Sequence, residues 1–240
     1  MSNIEHENDL SLANFMSGWR RLIENAVMPE GFAVIALTNY GERPVPSARL
    51  AEVSGRPVSE VETLARQWGW PPTQVKNGLI TVNPERSLLA PRRQLQIGDR
   101  RFGVTGCAPD VFLYAPLIRP SLQVEETCPA TGKRIRLVFT PGGVVSIDPP
   151  GTVVPVPPSQ EVDRVEGMGT PECNADATLC AECPFYSSAE AAQRWLAAHP
   201  GGRVFSVREA WDLSVHREWR DRMSALLNLD ATGTRDARPQ

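Results

Sequence analysis

The apolar positions in the first part of the chain recur at helical spacing. Between residues 11 and 28, apolar side chains at steps of three and four predict an amphipathic helix that ends at Pro29 and Gly31. The apolar run Phe32 to Leu37 predicts a further helical segment. The chain therefore begins with helices that pack one face against a core.

Two shorter helices and a hairpin follow. Ser47 is predicted to cap a helix that stops at Gly55, and Ser59 to open the next one. Asn77-Gly78 predicts a turn before the strand Leu79 to Val82. Helices followed by a hairpin are the outline of a winged helix-turn-helix. The helix that opens at Ser59 has no basic face, so we expect a packing scaffold that does not bind DNA.

From about residue 94 the pattern changes to short alternating strands. The predicted strands are Gln94–Ile97, Phe102–Val104, Leu122–Glu125, Arg134–Phe139, Val144–Ile147 and Val153–Val156. Asp99-Arg100 predicts one turn, and residues Cys128 to Lys133 suit a hairpin. Short strands joined by tight turns predict a mainly antiparallel or mixed sheet.

Two capping boxes predict the last helices. They are Ser187-x-x-Glu190 and Ser206-x-x-Glu209, and the strand-like Val204-Phe205 lies between them. The predicted class is α+β, with a helical, winged helix-turn-helix-like domain over residues 1–83. A mixed or antiparallel β-sheet core flanked by helices is predicted over residues 84–228, and a flexible tail over 229–240.

Charge and hydropathy narrow the function. The 240 residues carry a formal net charge of −3, whereas general nucleic-acid binding needs clustered Lys and Arg. Residues 1–10 carry acidic side chains, which is the wrong charge for a signal peptide, and no apolar run approaches the length of a membrane span. We therefore expect a cytoplasmic protein that contacts neither nucleic acid nor membrane.

Five cysteines cannot all pair within one chain, so these residues are expected to be buried, catalytic or metal-binding. Cys107 precedes Asp110 by three residues, and Pro109 suits the first position of a helix. A thiol beside unpaired amides at a helix N-terminus tends towards thiolate, and Asp110 could take or return its proton. The alternative is a buried cysteine and an acid that only stabilises the helix end.

Cys180 and Cys183 form a C-x-x-C motif. With Cys173 and Cys128 they could supply four zinc ligands, but the three histidines show no ligand spacing. Thioredoxin-type redox chemistry is less favoured because no βαβ pattern surrounds the motif. Spacing alone leaves these alternatives open.

The chain resembles the alkylmercury (organomercurial) lyase family from about residue 47 to residue 213. The matching strings are Asp99-Arg100-Arg101-Phe102, Cys107-Ala108-x-Asp110, Cys128-x-Ala130-Thr131-Gly132, Phe185-Tyr186-Ser187-Ser188 after Cys180, and Val204 to Ala210. In this order and spacing they are specific. The chain departs from the family pattern at Gly106, Pro109 and Ala181, which bears on pocket shape and substrate range.

The resemblance implies a catalytic trio of Cys107, Asp110 and Cys180, with Cys128 as a structural cysteine. Thiolates prefer soft mercury, and the aspartate would protonate the departing carbon. Apolar side chains such as Phe112 would exclude water from the reaction. Cys183 is a further candidate mercury ligand.

The resemblance also implies an organomercurial substrate and Hg(II) as a product. No resident cofactor is expected, but free thiols would be needed to release the metal, and the acceptor would be a thiol compound or a mercuric reductase. Two alternatives remain: a thiol-rich metal-binding or handoff protein on the same fold, and a relative that acts on another substrate.

Overall fold

The computed structural model describes residues 28–67, 72–83, 91–104, 107–157, 183–214 and 221. Its first helix, α1, spans Met28–Thr38 and includes the apolar run predicted to be helical. Pro29 and Gly31, predicted to end an earlier helix, lie in the first turn of α1. Proline is tolerated in a first helical turn, where its missing N–H would have no acceptor within the helix. Apart from Met28, the helix predicted over residues 11–28 lies outside the described residues, as do the loop over 160–178 and the tail.

Two helices and a small sheet follow α1. They are β1 (Val45–Pro46), α2 (Ser47–Ser54), α3 (Val58–Gln67), β2 (Thr73–Lys76) and β3 (Leu79–Val82). The strand order is β1-β3-β2, and both pairings are antiparallel. Gly55 ends α2 in the left-handed region at φ 66°, as predicted. Ser47 is the first residue of α2 and makes no capping hydrogen bond, so its prediction as a cap is wrong; Pro46 precedes the helix instead. Ser59 is the second residue of α3, which begins at Val58.

The main sheet has five strands, and all of its pairings are antiparallel. Its strands are β4 (Arg93–Ile97), β5 (Arg100–Val104), β6 (Leu122–Thr127), β7 (Arg134–Thr140) and β8 (Gly143–Asp148). The order is β5-β4-β6-β7-β8. Ile97 pairs with Arg100, so the turn consists of Gly98 and Asp99, one residue earlier than predicted. Gly98 occupies the left-handed region there, at φ 57°, which a glycine adopts without strain. The predicted hairpin between β6 and β7 is confirmed.

Short elements close the sheet on one side. They are α4 (Asp110–Tyr114), a 3-10 turn (Ala115–Leu117), β9 (Val153–Val156), α5 (Gln193–Ala198), β10 (Arg203–Ser206) and α6 (Val207–Ser214). β9 and β10 pair antiparallel as a separate two-stranded sheet.

One of the two predicted capping boxes is confirmed. The Ser206 amide donates to Glu209 at 2.8 Å, and the Glu209 amide donates to the Ser206 hydroxyl at 3.2 Å. The box at Ser187 is wrong: Ser188 accepts the amide hydrogen bond of Ala191, and α5 begins only at Gln193. The Ser187 hydroxyl instead bonds Thr131 across the molecule, a tertiary contact that local spacing cannot show.

Two buried apolar clusters hold these elements together. The smaller lies within the N-terminal elements, around Leu50, Val61 and Ile80. The larger lies between the five-stranded sheet and the helices that cover it. Helix α1 contributes to both, with Val34 in the first and Phe32 in the second. The described residues therefore form an α+β fold with antiparallel sheets, and among them no helix has the length and apolarity to cross a bilayer.

Candidate active site

Cys107 and Asp110 lie on one tight turn at the start of α4. The Cys107 amide donates to Asp110 Oδ2 at 2.8 Å, and the Asp110 amide donates to the Cys107 carbonyl at 3.2 Å. Pro109 is the residue before the helix and Asp110 the first within it, one place later than predicted. The Cys107 amide is paired, because the Asp110 carboxylate accepts its hydrogen. The turn therefore holds a carboxylate against the backbone of the thiol residue.

A second cysteine-bearing segment lies against this turn. The Ala108 amide donates to the Cys183 carbonyl at 2.7 Å. Tyr186 forms an antiparallel bridge with Val153 of β9, through amide–carbonyl bonds of 2.9 and 3.1 Å. Cys107 and Cys183 are both buried. The segment from Cys183 to Tyr186 is thus fixed between the Cys107 turn and β9.

Part of the predicted site falls outside the described residues. Cys180, predicted to be the second catalytic thiol, belongs to that part, as does Cys173. Cys107, Cys128 and Cys183 form no disulfide. Within the residues that the structure describes, no three His, Cys, Asp or Glu side chains group as ligands for a metal ion. The structure therefore joins Cys107 and Asp110 and brings the backbone of Cys183 to them.

Cys128 lies in a separate polar cluster. It follows β6, is buried, and its thiol is close to the hydroxyls of Ser187 and Thr131, which lie 3.0 Å from each other. Burial opposes ionisation, but hydrogen bonds from Ser187 and Thr131 outweigh it and lower the pKa of Cys128 from 9.0 to about 7. These contacts join the β6–β7 hairpin to the segment after Cys183.

An aromatic cluster packs around α4, the helix that follows the Cys107 turn. Phe112 is fully buried in α4 and packs edge-on against Phe185, with ring centroids 6.3 Å apart, and against Phe139 of β7 at 5.9 Å. Leu113 is also buried. The helix that carries Asp110 therefore packs directly on the segment that carries Cys183.

The sequence interpretation missed a buried ion pair behind the turn. Arg93 of β4 is 1% exposed, and its Nε lies 3.0 Å from Glu126 Oε2 of β6. Its Nη1 donates to the Cys107 carbonyl, and its guanidinium lies 5.5 Å from the centroid of the Phe185 ring. Burial opposes the charge, yet Glu126 and the nearby Tyr114, Cys107 and Asp110 raise the pKa of Arg93 above its usual value. The signal was the alternation Arg93-x-Leu95-x-Ile97, which places the arginine on the buried face of β4.

Burial also affects the acids around this pair. It raises the pKa of Glu126 above its usual value despite the opposing effect of Arg93. Burial and the neighbouring Tyr40 raise the pKa of Tyr114, so its hydroxyl stays neutral at ordinary pH.

The sequence and the fold of this chain are both similar to those of known proteins. The alkylmercury lyase family model matches residues 92–219. An alkylmercury lyase of Bacillus cereus is 28% identical over 68% of this chain and 69% of its own length. One of Pseudomonas putida is 27% identical over 77% and 83%. In fold, the chain is similar to a crystal structure of the mercury-bound form of MerB2, with a TM-score of 0.54 and 16% identity over 90% of this chain and 99% of that one. With more than half of its length matched by the family model, the chain belongs to the alkylmercury lyase family.

Proposed function

We propose that this chain is an organomercurial lyase that cleaves a carbon–mercury bond by protonolysis. The observation that carries the proposal is the 2.8 Å hydrogen bond between the Cys107 amide and the Asp110 carboxylate. It keeps a proton carrier on the same turn as a thiol, within a chain that belongs to the alkylmercury lyase family. A site that only stored metal would need the thiol but not the acid.

The reaction follows from the residue types. Asp110 takes the proton of the Cys107 thiol, and the thiolate displaces the weaker ligand from R–Hg–X. The thiolate of Cys180 then adds to mercury and pushes electron density towards carbon. The protonated Asp110 delivers its proton to that carbon, which keeps the electron pair of the broken C–Hg bond. The products are R–H and Hg(II) bound to two thiolates, and mercury does not change oxidation state.

Cys180 takes the role of second thiol by family resemblance and by sequence position. It precedes Cys183, whose carbonyl accepts the Ala108 amide hydrogen, by three residues in the sequence. We propose that a small thiol or a mercuric reductase then removes Hg(II), so no resident cofactor is required.

One observation favours a second candidate, a mercury-retaining or handoff protein. Cys183 is a buried cysteine beside the Cys107 turn, and an additional thiol there would hold mercury more tightly. The two candidates differ in the role of Asp110, which only the lyase uses as an acid.

The test is release of arene from an arylmercurial in the presence of excess thiol. Asp110→Asn keeps an oxygen that can accept the Cys107 amide but cannot carry the proton, and Asp110→Ala loses both functions. We expect each variant to bind mercury with wild-type stoichiometry and to lose turnover by at least about a hundredfold. Cys107→Ser and Cys180→Ser should lose turnover as well, whereas the matched control Cys183→Ser should keep it.

Two outcomes would contradict this assignment. Wild-type protein that binds the mercurial without releasing arene would favour the handoff function. Turnover in Asp110→Asn equal to wild type would remove the proton-carrying role.

We also infer a division of the chain and a role for its first part. The three helices and the sheet β1-β3-β2 fit a winged helix-turn-helix over residues 1–83, next to a catalytic domain over residues 84–228. Its α3 carries two acidic residues that form ion pairs: Glu60 pairs with Arg56, and Glu62 pairs with Arg66. These two arginines are therefore neutralised and do not form a basic face. We propose that this unit is a cytoplasmic packing scaffold and does not bind DNA. A filter-binding assay with mixed DNA duplexes at low salt tests the absence of binding. Retention of DNA on the filter would contradict the proposal.

A further inference from the structure

We propose that Arg93 is a positioning residue for the Cys107–Asp110 turn, holding its backbone and directing the positive end of a buried ion pair towards it. This inference rests on the proposed function, because it concerns the same turn. It adds a residue pair, Arg93 and Glu126, that lies on neither of the two cysteine segments.

Contacts on three sides fix the guanidinium. Glu126 accepts from Nε at 3.0 Å, the Cys107 carbonyl accepts from Nη1, and the ring of Phe185 lies 5.5 Å away. Arg93 and Glu126 are cross-strand partners in the register of β4 and β6, and both side chains are almost completely buried. The planar fork of arginine suits this arrangement, because one face of it bonds the carboxylate while another nitrogen reaches the turn.

The pair is neutral overall, but it is oriented. Its positive end bonds the Cys107 carbonyl, and its negative end is the Glu126 carboxylate on β6. A buried charge acts in a medium of low dielectric, so its effect on neighbouring charges exceeds that of a solvated one. The charged and titratable groups around the guanidinium are Glu126, Tyr114, Cys107 and Asp110. Of these, the proposed reaction needs negative charge on Cys107 and Asp110, which the positive end of the pair stabilises.

The same contact also serves geometry. The Cys107 carbonyl accepts both the Arg93 Nη1 hydrogen and the Asp110 amide hydrogen. Loss of the guanidinium would leave the carbonyl held only by its own turn. Reaction rates depend steeply on the placement of the reacting groups, so a looser turn should slow proton transfer more than it weakens mercury binding.

The experiment compares two neutralising variants by arene release in a single turnover, across pH. Arg93→Met/Glu126→Gln removes both charges and keeps side chains of similar length. Replacing a buried ion pair as a unit is often neutral for stability, so this variant should fold. Glu126→Gln alone keeps the guanidinium and offers it an amide oxygen in place of the carboxylate.

The two variants should shift the acid limb of the pH–rate profile, where the rate falls as the pH is lowered, in opposite directions. Arg93→Met/Glu126→Gln should bind arylmercurial with wild-type stoichiometry but release arene at least about tenfold more slowly. The acid limb of its pH–rate profile should move to higher pH, because the positive charge that stabilises the ionised groups of the turn is gone. Glu126→Gln leaves the positive charge without its buried counterion, so its acid limb should move to lower pH. A purely structural role would make the rate follow the melting temperature and leave the pH profile where it is.

The possible results separate the two proposals. Wild type that releases no arene overturns the proposed function and this inference with it. An active wild type with unshifted pH profiles in the variants overturns only the inference. If Arg93→Met/Glu126→Gln does not fold, Glu126→Gln still decides, since an unshifted profile in that variant also contradicts the role of Arg93.

Discussion

The stability of the fold should depend on pH through Cys128. This thiol is buried beside the hydroxyls of Ser187 and Thr131, which lower its pKa to about 7. An unfolded cysteine has its pKa near 9.0. Between these two values the unfolded chain binds more protons than the folded one, so stability rises with pH across that window. The contribution is fully present above pH 9 and is lost as pH falls through about 7.

The size of the effect follows from the same two values. Each pKa unit corresponds to about 1.4 kcal/mol, so a change from 9.0 to about 7 is worth on the order of 2–3 kcal/mol of unfolding free energy at high pH. For a chain of this length that is a rise of roughly 5 to 10 °C in melting temperature between pH 6.5 and 9.5. Ser187→Ala removes one of the two hydroxyl donors and should abolish most of the rise.

The assay is urea unfolding under reducing conditions at several pH values between 6.5 and 9.5. Other groups titrate in this range, so the informative quantity is the difference between wild type and variant. Ser188→Ala is the matched control: its hydroxyl accepts the Ala191 amide hydrogen bond, so its loss should lower stability by a similar amount at every pH. A wild-type minus Ser187→Ala difference that stays constant with pH would refute the argument for a folded-state thiolate at Cys128.

Two further predictions concern packing around the site. Phe112→Ala should destabilise the fold by about 3–5 kcal/mol, because this fully buried ring packs on Phe139 and Phe185. Phe112→Leu should cost about a third of that. Chemical unfolding measures both, and equal costs would contradict the packing argument. Gly103→Ala should lower the free energy of unfolding by about 1–3 kcal/mol, since the new Cβ would lie 2.4 Å from Pro91 Cβ. Gly142→Ala is the control: its Cβ would have no neighbour nearer than 3.8 Å, so its stability should lie within about 0.5 kcal/mol of wild type.

Local patterns predicted the elements whose partners are close in sequence. Alternation located the strands of the main sheet, Asn77-Gly78 located a hairpin, and Ser206 with Glu209 located a helix start. These signals succeed because a hairpin or a capping box is completed by residues a few positions apart. Ser187 has the same local pattern as Ser206, but its hydroxyl is used by Thr131, 56 residues away, and no spacing rule contains that contact.

The turn that carries Cys107 and Asp110 was predicted only in part. Cys107 and Asp110 were predicted as a pair because three residues separate them, and the structure confirms that they share a turn. The prediction of an unpaired amide beside the Cys107 thiol was wrong, because the Asp110 carboxylate accepts the hydrogen of the Cys107 amide. Asp110, the first residue of the helix, therefore bonds the amide that was expected to favour the thiolate.

The buried ion pair of Arg93 and Glu126 was missed because the predicted strand ends were wrong by one residue. The predicted strands began at Gln94 and ended at Glu125, each one residue short of a member of the buried pair. In the structure the alternation runs Arg93, Leu95, Ile97 on β4 and Leu122, Val124, Glu126 on β6, with every one of these side chains buried. Opposite charges at the ends of two buried rows are costly unless they meet, and antiparallel register places Arg93 opposite Glu126. A charged residue that continues an apolar alternation is therefore better taken as part of the strand, with its partner sought at the matching end of a neighbouring strand.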